Sequence, residues 1–460
     1  MQAIQRACRP YLGTRSFYAD ALRVMIPVTI QQLINNLFNV IDNLMVGSLD
    51  IEGLAMSAVS VANKPYVIFF GVFFGMTGAA GLMISQYYGA RDIKTCQGLF
   101  ALQLVIGLVV SVGFCALLGF MPETVMRIFV TDPRTIELGV RYLRIICPSY
   151  IPVAISNTCI FSMRALGQNR VSMLVSLATM GVNAVCNYLL IFGALGFPAL
   201  GVEGAAWGTL IARLFEMCFY LLLLMRKRMV FTLNILAFLK LSKSTVRAFM
   251  LKAIPLIVNE ILWTFGMNIY FWCYARLNEA ALPAVTIAEQ CSQIAAVMAM
   301  GTASAVSVLI GTELGANRLQ EAKANCKKLL TLVIAIGLLC VAVCCVLGLA
   351  LPYAFQISDE LRRLATQITL IMGVMAPFNF VYAFCFYCMR AGGDTRNAML
   401  LDSGYMWLLP VPAAIAMAVL LPGRISVVAA AFVVQLLMNS KVVLALLVLR
   451  RGKWVRNITA

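Results

Sequence analysis

Twelve stretches of mostly apolar residues, each long enough to cross a bilayer as a helix, leave this 460-residue chain few folds to choose from. A hydrocarbon core about 30 Å thick takes roughly 20 residues of helix. The stretches fall at 21–46, 58–88, 97–120, 138–163, 171–196, 201–225, 253–275, 282–311, 327–351, 366–389, 397–421 and 426–449. A spanning strand needs only about 9–11 residues of alternating polarity, so run length selects helices. The expected fold class is therefore an all-α polytopic membrane protein with twelve transmembrane helices. Composition agrees: 62% of residues are hydrophobic and 12% charged, against about 45–50% and 25% in soluble domains. Residues 1–20 are polar and basic without the short apolar core of a cleavable signal, so the first helix is expected to target the chain.

A net charge of +17 raises the question of nucleic acid, and the placement of the charges answers it. Numbered from a cytoplasmic N-terminus, one set of loops holds 25 Lys and Arg; the other holds 8, from Arg127 to Arg424. That asymmetry predicts cytoplasmic termini and a cell (inner) membrane location. The charge is topological, and no nucleic-acid partner is expected. Fifteen cysteines are scattered through the apolar stretches and the chain has no histidine, which argues against a disulfide framework or a zinc site.

The chain also repeats itself. Arg164–Arg170 (RALGQNR) returns as Arg390–Arg396 (RAGGDTR), and Gly89-Ala90 returns as Gly315-Ala316, both at an offset of 226 residues. Pro27 and Pro255 open similar segments at an offset of 228. Three anchors in one order predict a duplication. Two parallel six-helix lobes follow, one over 1–225 and one over 253–460, joined by a cytoplasmic, solvated linker at 226–252 that lies against lipid head groups. Parallel repeats of this kind place substrate near mid-membrane and alternate access by rocking.

Polar side chains inside the spans are functional candidates because burial there is costly. Gln31, Asn35, Asn39 and Asp42 share one sector of the first helix, a polar stripe ending in an acid. On the fifth helix Ser172, Ser176, Thr179, Asn183 and Asn187 share a face. Paired amides beside a carboxylate suit a hard cation such as Na⁺, or satisfy a protonated Asp, or join helices by hydrogen bonds. In the second half Glu260 shares a face with Thr264 and Asn268, with Trp263 alongside, and Thr286, Glu289 and Gln293 form a similar stripe. Asp402 follows the second repeat loop, which carries Arg390 and Asp394 as Arg164 marks the first; these are read as structural. Glu216 is expected to be neutralised by Arg213, and Lys64 and Lys441 to snorkel from helix ends. Aromatic and methionine residues, Tyr382 among them, suit flat organic cations.

Taken together, Pro27 with Val40–Gly47 (VIDNLMVG), the QYYGAR/ELGANR pair, Gly196–Thr209 (GFPALGVEGAAWGT) and RAGGDTR followed by Asp402, Trp407 and Pro410 resemble the multidrug and toxic compound extrusion (MATE) family. The resemblance covers nearly the whole chain. It implies a V-shaped pair of six-helix lobes that exports small organic cations against entry of Na⁺ or H⁺, with no other cofactor and as a monomer. It also implies that Asp42 is the coupling acid, with Asn183 and Asn187 as its fifth-helix partners. Two departures stand out: other members carry a seventh-helix acid at a position like Trp263, and a tenth-helix acid where this chain has Asn379. A lipid-linked saccharide flippase of the same broad fold would line its cavity with basic residues, whereas the mid-membrane charges here are mainly acidic. A membrane-embedded enzyme would need a nucleophile with its base or a metal cluster, and a receptor does not account for the repeat.

Overall fold

The computed structural model describes residues 12–47, 54–130, 132–226, 230–232, 234–278, 281–354, 358–421 and 424–459; the side chains of 38–44, 47, 54, 56 and 294–296 lie outside that description. Among the described residues there is no strand. The long helices are α1 (Arg15–Gly47), α2 (Ser57–Gly89), α3 (Ile93–Phe120), α4 (Pro133–Ala165), α5 (Asn169–Phe192), α6 (Val202–Met225), α7 (Lys243–Leu277), α8 (Leu282–Gly315), α9 (Leu319–Tyr353), α10 (Asp359–Ala391), α11 (Thr395–Leu420) and α12 (Val427–Arg450). Among the described residues, α2 to α12 are each long and apolar enough to cross a membrane. With backbone groups paired inside each helix, only such segments are tolerated in hydrocarbon.

Two compact units emerge, one comprising Ile30–Ile84 and Asp92–Arg247, the other Met1–Thr29, Ser85–Arg91 and Ala248–Ala460. In the first, α5 and α6 pack through small residues. A Cβ on Gly204 would stand 2.4 Å from the Leu190 carbonyl oxygen, and one on Gly208 would stand 2.1 Å from Asn187 Oδ1. This glycine pair, four residues apart, lets the two backbones approach as in other membrane helix pairs. At the start of α4, Asp132 accepts from the Thr135 hydroxyl at 2.7 Å and from two backbone amides. The Thr135 hydroxyl is the main reason its carboxyl lies below the usual carboxylate range.

The segment expected to be a solvated linker at 226–252 is partly docked instead. Phe231 is fully buried and stacks on Phe100, ring centroids 4.8 Å apart. Gln97 donates to the Val230 carbonyl at 2.9 Å, and Gly98 leaves room for Leu241. Apolar residues inside the basic run drive this docking on α3, and α7 already begins at Lys243.

In the second unit the repeat is reproduced down to single backbone angles. Arg91 and Asn317 both adopt a left-handed conformation, φ 61° and 60°. The repeat loops behave alike across the two units: Gly167 and Gly393 have φ 75° and 77°. Each pair is separated by the repeat offset. Within the second unit the contacts are reciprocal. A Cβ on Gly89 would lie 2.0 Å from the Thr312 carbonyl oxygen, and one on Gly315 would lie 1.8 Å from that of Gln86. Since Gln86 and Thr312 are themselves repeat mates, this is the self-complementary pattern of a twofold contact. The same Gln86 side chain donates to the Ala391 carbonyl at 2.6 Å and accepts from the Ile458 amide at 2.9 Å. Trp454, buried at 3% exposure, lies over Gly392.

Gly315→Ala is expected to lower stability by about 1–3 kcal/mol through overpacking, read as a drop in thermal midpoint. Gly113→Ala, where no atom lies within 4 Å of the added Cβ, should leave the midpoint unchanged or slightly raised.

Candidate functional site

Each half builds one polar cluster from its first and fifth helices. In the first half, Gln31 of α1 is 1% exposed. It donates to Ser176 Oγ of α5 at 2.8 Å and to the Ser172 carbonyl at 3.3 Å. Its own carbonyl oxygen accepts from Arg164 Nη2 at 2.8 Å, and the same nitrogen reaches Gln32 Oε1 at 3.2 Å. The Arg164 guanidinium lies over the Phe161 ring at 5.0 Å, a cation–π contact that helps hold the charge at the helix end.

The fifth-helix face continues inward. Asn187 donates to Asn183 Oδ1 at 3.2 Å, and Asn183 donates to Thr209 Oγ1 of α6 at 3.4 Å. Both asparagines are buried. Thr179 returns its hydroxyl to the Val175 carbonyl at 2.9 Å, so it serves its own helix. The first-helix stripe does not stay together: Gln31 is buried, whereas Asn35 is exposed and donates to Gln32 Oε1 at 3.3 Å. The side chains of Asn39 and Asp42, the two remaining members, lie outside the described residues. Glu216 is 4% exposed and accepts from Arg213 at 3.3 Å, the neutralisation expected from their one-turn spacing.

In the second half the cluster is charged. Asp402 Oδ1 accepts from Lys441 Nζ at 2.7 Å and from the Tyr382 hydroxyl at 2.9 Å, and Oδ2 accepts from Asn259 Nδ2 at 3.0 Å. Ser403 completes the set, donating its hydroxyl to Asn259 Oδ1 at 2.8 Å and its amide to the same oxygen at 3.3 Å. Lys441 Nζ lies 3.9 Å from the Tyr382 ring centroid. The Lys and Asp side chains are 5% and 13% exposed. Lys441 therefore does not snorkel, contrary to the sequence expectation: it sits nine residues inside the end of α12 and its stem turns to the acid rather than to water. Asp402 lies within a widened turn, Leu400–Gly404, and such turns with one extra residue favour functional positions.

The two clusters are built on repeat-related positions. Gln31 pairs with Asn259 at the 228 offset, and Ser176 with Asp402 at the 226 offset. The amide-to-hydroxyl bond of one half is thus an amide-to-carboxylate bond in the other. Arg390 repeats Arg164 as well, 6% exposed and lying over Phe386 and Tyr387 at 5.2 and 5.8 Å.

The other predicted residues are dispersed. Glu260 is half-buried within the field of Arg390 and Asp402, and Thr264 returns its hydroxyl to the Glu260 carbonyl. Asn268 is exposed and donates to the Thr264 carbonyl at 2.7 Å. Trp263, Gln293 and Asn379 are exposed, and Glu289 is half-buried. Asp394 accepts from Asn397 at 2.9 Å, a local contact at the start of α11. Asn259, Ser403 and Lys441 were not anticipated. The depth of Lys441 in α12, nine residues from its end, was the available signal.

Among the described residues all cysteines are free, including Cys385 and Cys388, one turn apart on α10, the second with its sulfur 4.0 Å from that of Cys326. No group of three or more metal-ligating residues occurs among the described residues.

The MatE family model matches residues 27–189 and again residues 255–415, so the two matches begin on the repeated prolines Pro27 and Pro255. The chain is 23% identical over 302 residues to a probable multidrug resistance protein NorM of Streptococcus pneumoniae, a match covering 66% of each chain. It is 23% identical over 414 residues to the multidrug resistance protein PmpM of Pseudomonas aeruginosa, covering 87% of this chain and 84% of that one. Among solved structures it is similar to a MATE protein crystallised in complex with MaL6, with a TM-score of 0.86 at 17% identity over 97% of this chain and 98% of the other. Identity that low speaks for the fold alone.

Removing one partner of the buried pair, by Asp402→Ala or Lys441→Ala, is expected to cost about 3–5 kcal/mol by stranding a charge. The double variant should lose clearly less than the sum of the two, as thermal unfolding of the four purified proteins would show.

Proposed function

The chain belongs to the MatE family, and from that premise we propose that it is a secondary active multidrug exporter. It moves small organic cations outward against entry of Na⁺ or H⁺, by alternating access of its two six-helix halves. The observation that carries this reading is the double family match, one per half, joined to relatives whose names state multidrug resistance. Family members are transporters and not enzymes. Both termini are assigned to the cytoplasm from the charge asymmetry of the loops.

Coupling is assigned to Asp42, with Asn183 and Asn187 in support. An exporter of this kind needs one group with two alternatives, cation-bound and empty, each favouring a different arrangement of the helices. A carboxylate in a span meets that need, binding either a proton or, with amide oxygens nearby, Na⁺. Asn keeps the shape of the neutral acid but has no charge to titrate. Asp42→Asn is expected to reach the membrane and to show no gradient-driven efflux of a cationic dye from proteoliposomes. With Na⁺ and proton gradients imposed separately, Asn183→Ala should weaken a sodium response more than a proton response. Normal driven efflux by Asp42→Asn would remove the assignment.

Cargo binding is assigned to the acidic and aromatic faces of the second half, with Glu260 and Trp263 at their centre. An acid near an exposed indole attracts a flat cation by charge and by the ring face. Glu260→Gln should weaken binding of several chemically different organic cations by about tenfold or more, as measured by fluorescence titration. Unchanged affinity for all of them would exclude Glu260 from the site.

A further inference from the structure

We propose that Lys441 is a tethered cation that permanently fills the acid site of the second half, Asp402, in place of a mobile coupling ion. The geometry is that of an occupied site. Asp402 has the oxygen-rich surroundings a small cation would use: its own carboxylate, the Tyr382 hydroxyl, and the Asn259 and Ser403 side chains within one network. Into this network α12 delivers an ammonium at 2.7 Å. The charge cannot leave, because its four-carbon stem is anchored on a buried helix face and Nζ rests on the Tyr382 ring. A second cation entering the same network would meet the ammonium at close range and be repelled.

Comparison of the halves supports an arrangement specific to this side. Asp402 corresponds to Ser176 at the offset of 226, and Lys441 to Glu216 at the offset of 225 set by both ends of α6 and α12. The first half has a hydroxyl in place of Asp402 and a buried carboxylate, Glu216 paired with Arg213, in place of Lys441, so an ammonium set against this acid belongs to the second half alone. An acid alone would be a site for an exchanging ion, and an acid with its own ammonium is not. Asp402 is thereby withdrawn from ion exchange, and it holds α7, α10, α11 and α12 together without loading and unloading.

The inference deepens the ion-coupled reading above and rests on it. Its readouts are cation binding and carboxyl reactivity, so loss of export does not decide it. Full-length wild type, Lys441→Gln and the neutral pair Asp402→Asn/Lys441→Gln would be purified and melted in increasing NaCl, with choline chloride holding ionic strength, and across neutral to mildly acidic pH. Lys441→Gln, with its acid unmasked, should gain a saturable rise in midpoint of roughly 2–4 °C with Na⁺ or with acidification. That gain should be missing from the neutral pair, which should keep whatever cation response wild type has. No gain in Lys441→Gln, or loss of the wild-type response in the neutral pair, would overturn the proposal. If Lys441→Gln does not fold, wild type alone decides through dicyclohexylcarbodiimide, which reacts with protonated carboxyls and is mapped by mass spectrometry. Asp402 should stay unmodified at neutral pH with and without Na⁺, and its modification would overturn the proposal.

Discussion

A polar side chain in hydrocarbon has no water to turn to, and its partner must come from the protein itself. Most of the internal architecture of this chain follows from that demand. Gln31 bridges α1 to α5 because its amide needs both an acceptor and a donor. Asn187 approaches α6 closely because Gly208 leaves the space. Asp402 and Lys441 meet because neither could be left alone. These residues are therefore cross-links between helices, and the apolar residues around them decide how tightly the links are drawn, whereas Thr179, Thr264 and Asn268 satisfy themselves on their own helices.

What could be read from the sequence follows the same division. Spans and the duplication are one-dimensional properties: run length sets a helix, and RALGQNR with RAGGDTR sets the offset. Both were legible. Partnerships between distant residues were not, because a stripe such as Gln31, Asn35, Asn39 and Asp42 tells which side chains share a face and not what lies opposite. Lys441 was the clearest case. Its position in the sequence reads as near enough to a helix end to snorkel, and only the packing of α12 on α10 and α11 identified Asp402 as its partner. The linker failed for another reason: a basic run conceals Phe231 and Leu241, which with the Val230 carbonyl dock the segment on α3.

The candidate site divides unevenly between the halves. The first half offers amides and hydroxyls, Asn183 with Asn187 and Gln31 with Ser176, the latter pair tied to the cation of Arg164. The second half offers a satisfied charge network beside Glu260 and exposed aromatics, an arrangement suited to holding shape. A single fold element, a first helix crossing a fifth, serves both ends by changing two or three side chains.

The glycine contacts between repeat-related segments, Gly89 on Thr312 and Gly315 on Gln86, are those of two identical chains meeting across a twofold axis. In such a dimer every substitution appears twice, and a buried acid on one side would bring its copy on the other. Only when the two copies share one polypeptide can Ser176 remain a hydroxyl while its counterpart becomes Asp402. Fusion is what makes a division of labour heritable: one copy can carry a charge where the other carries none.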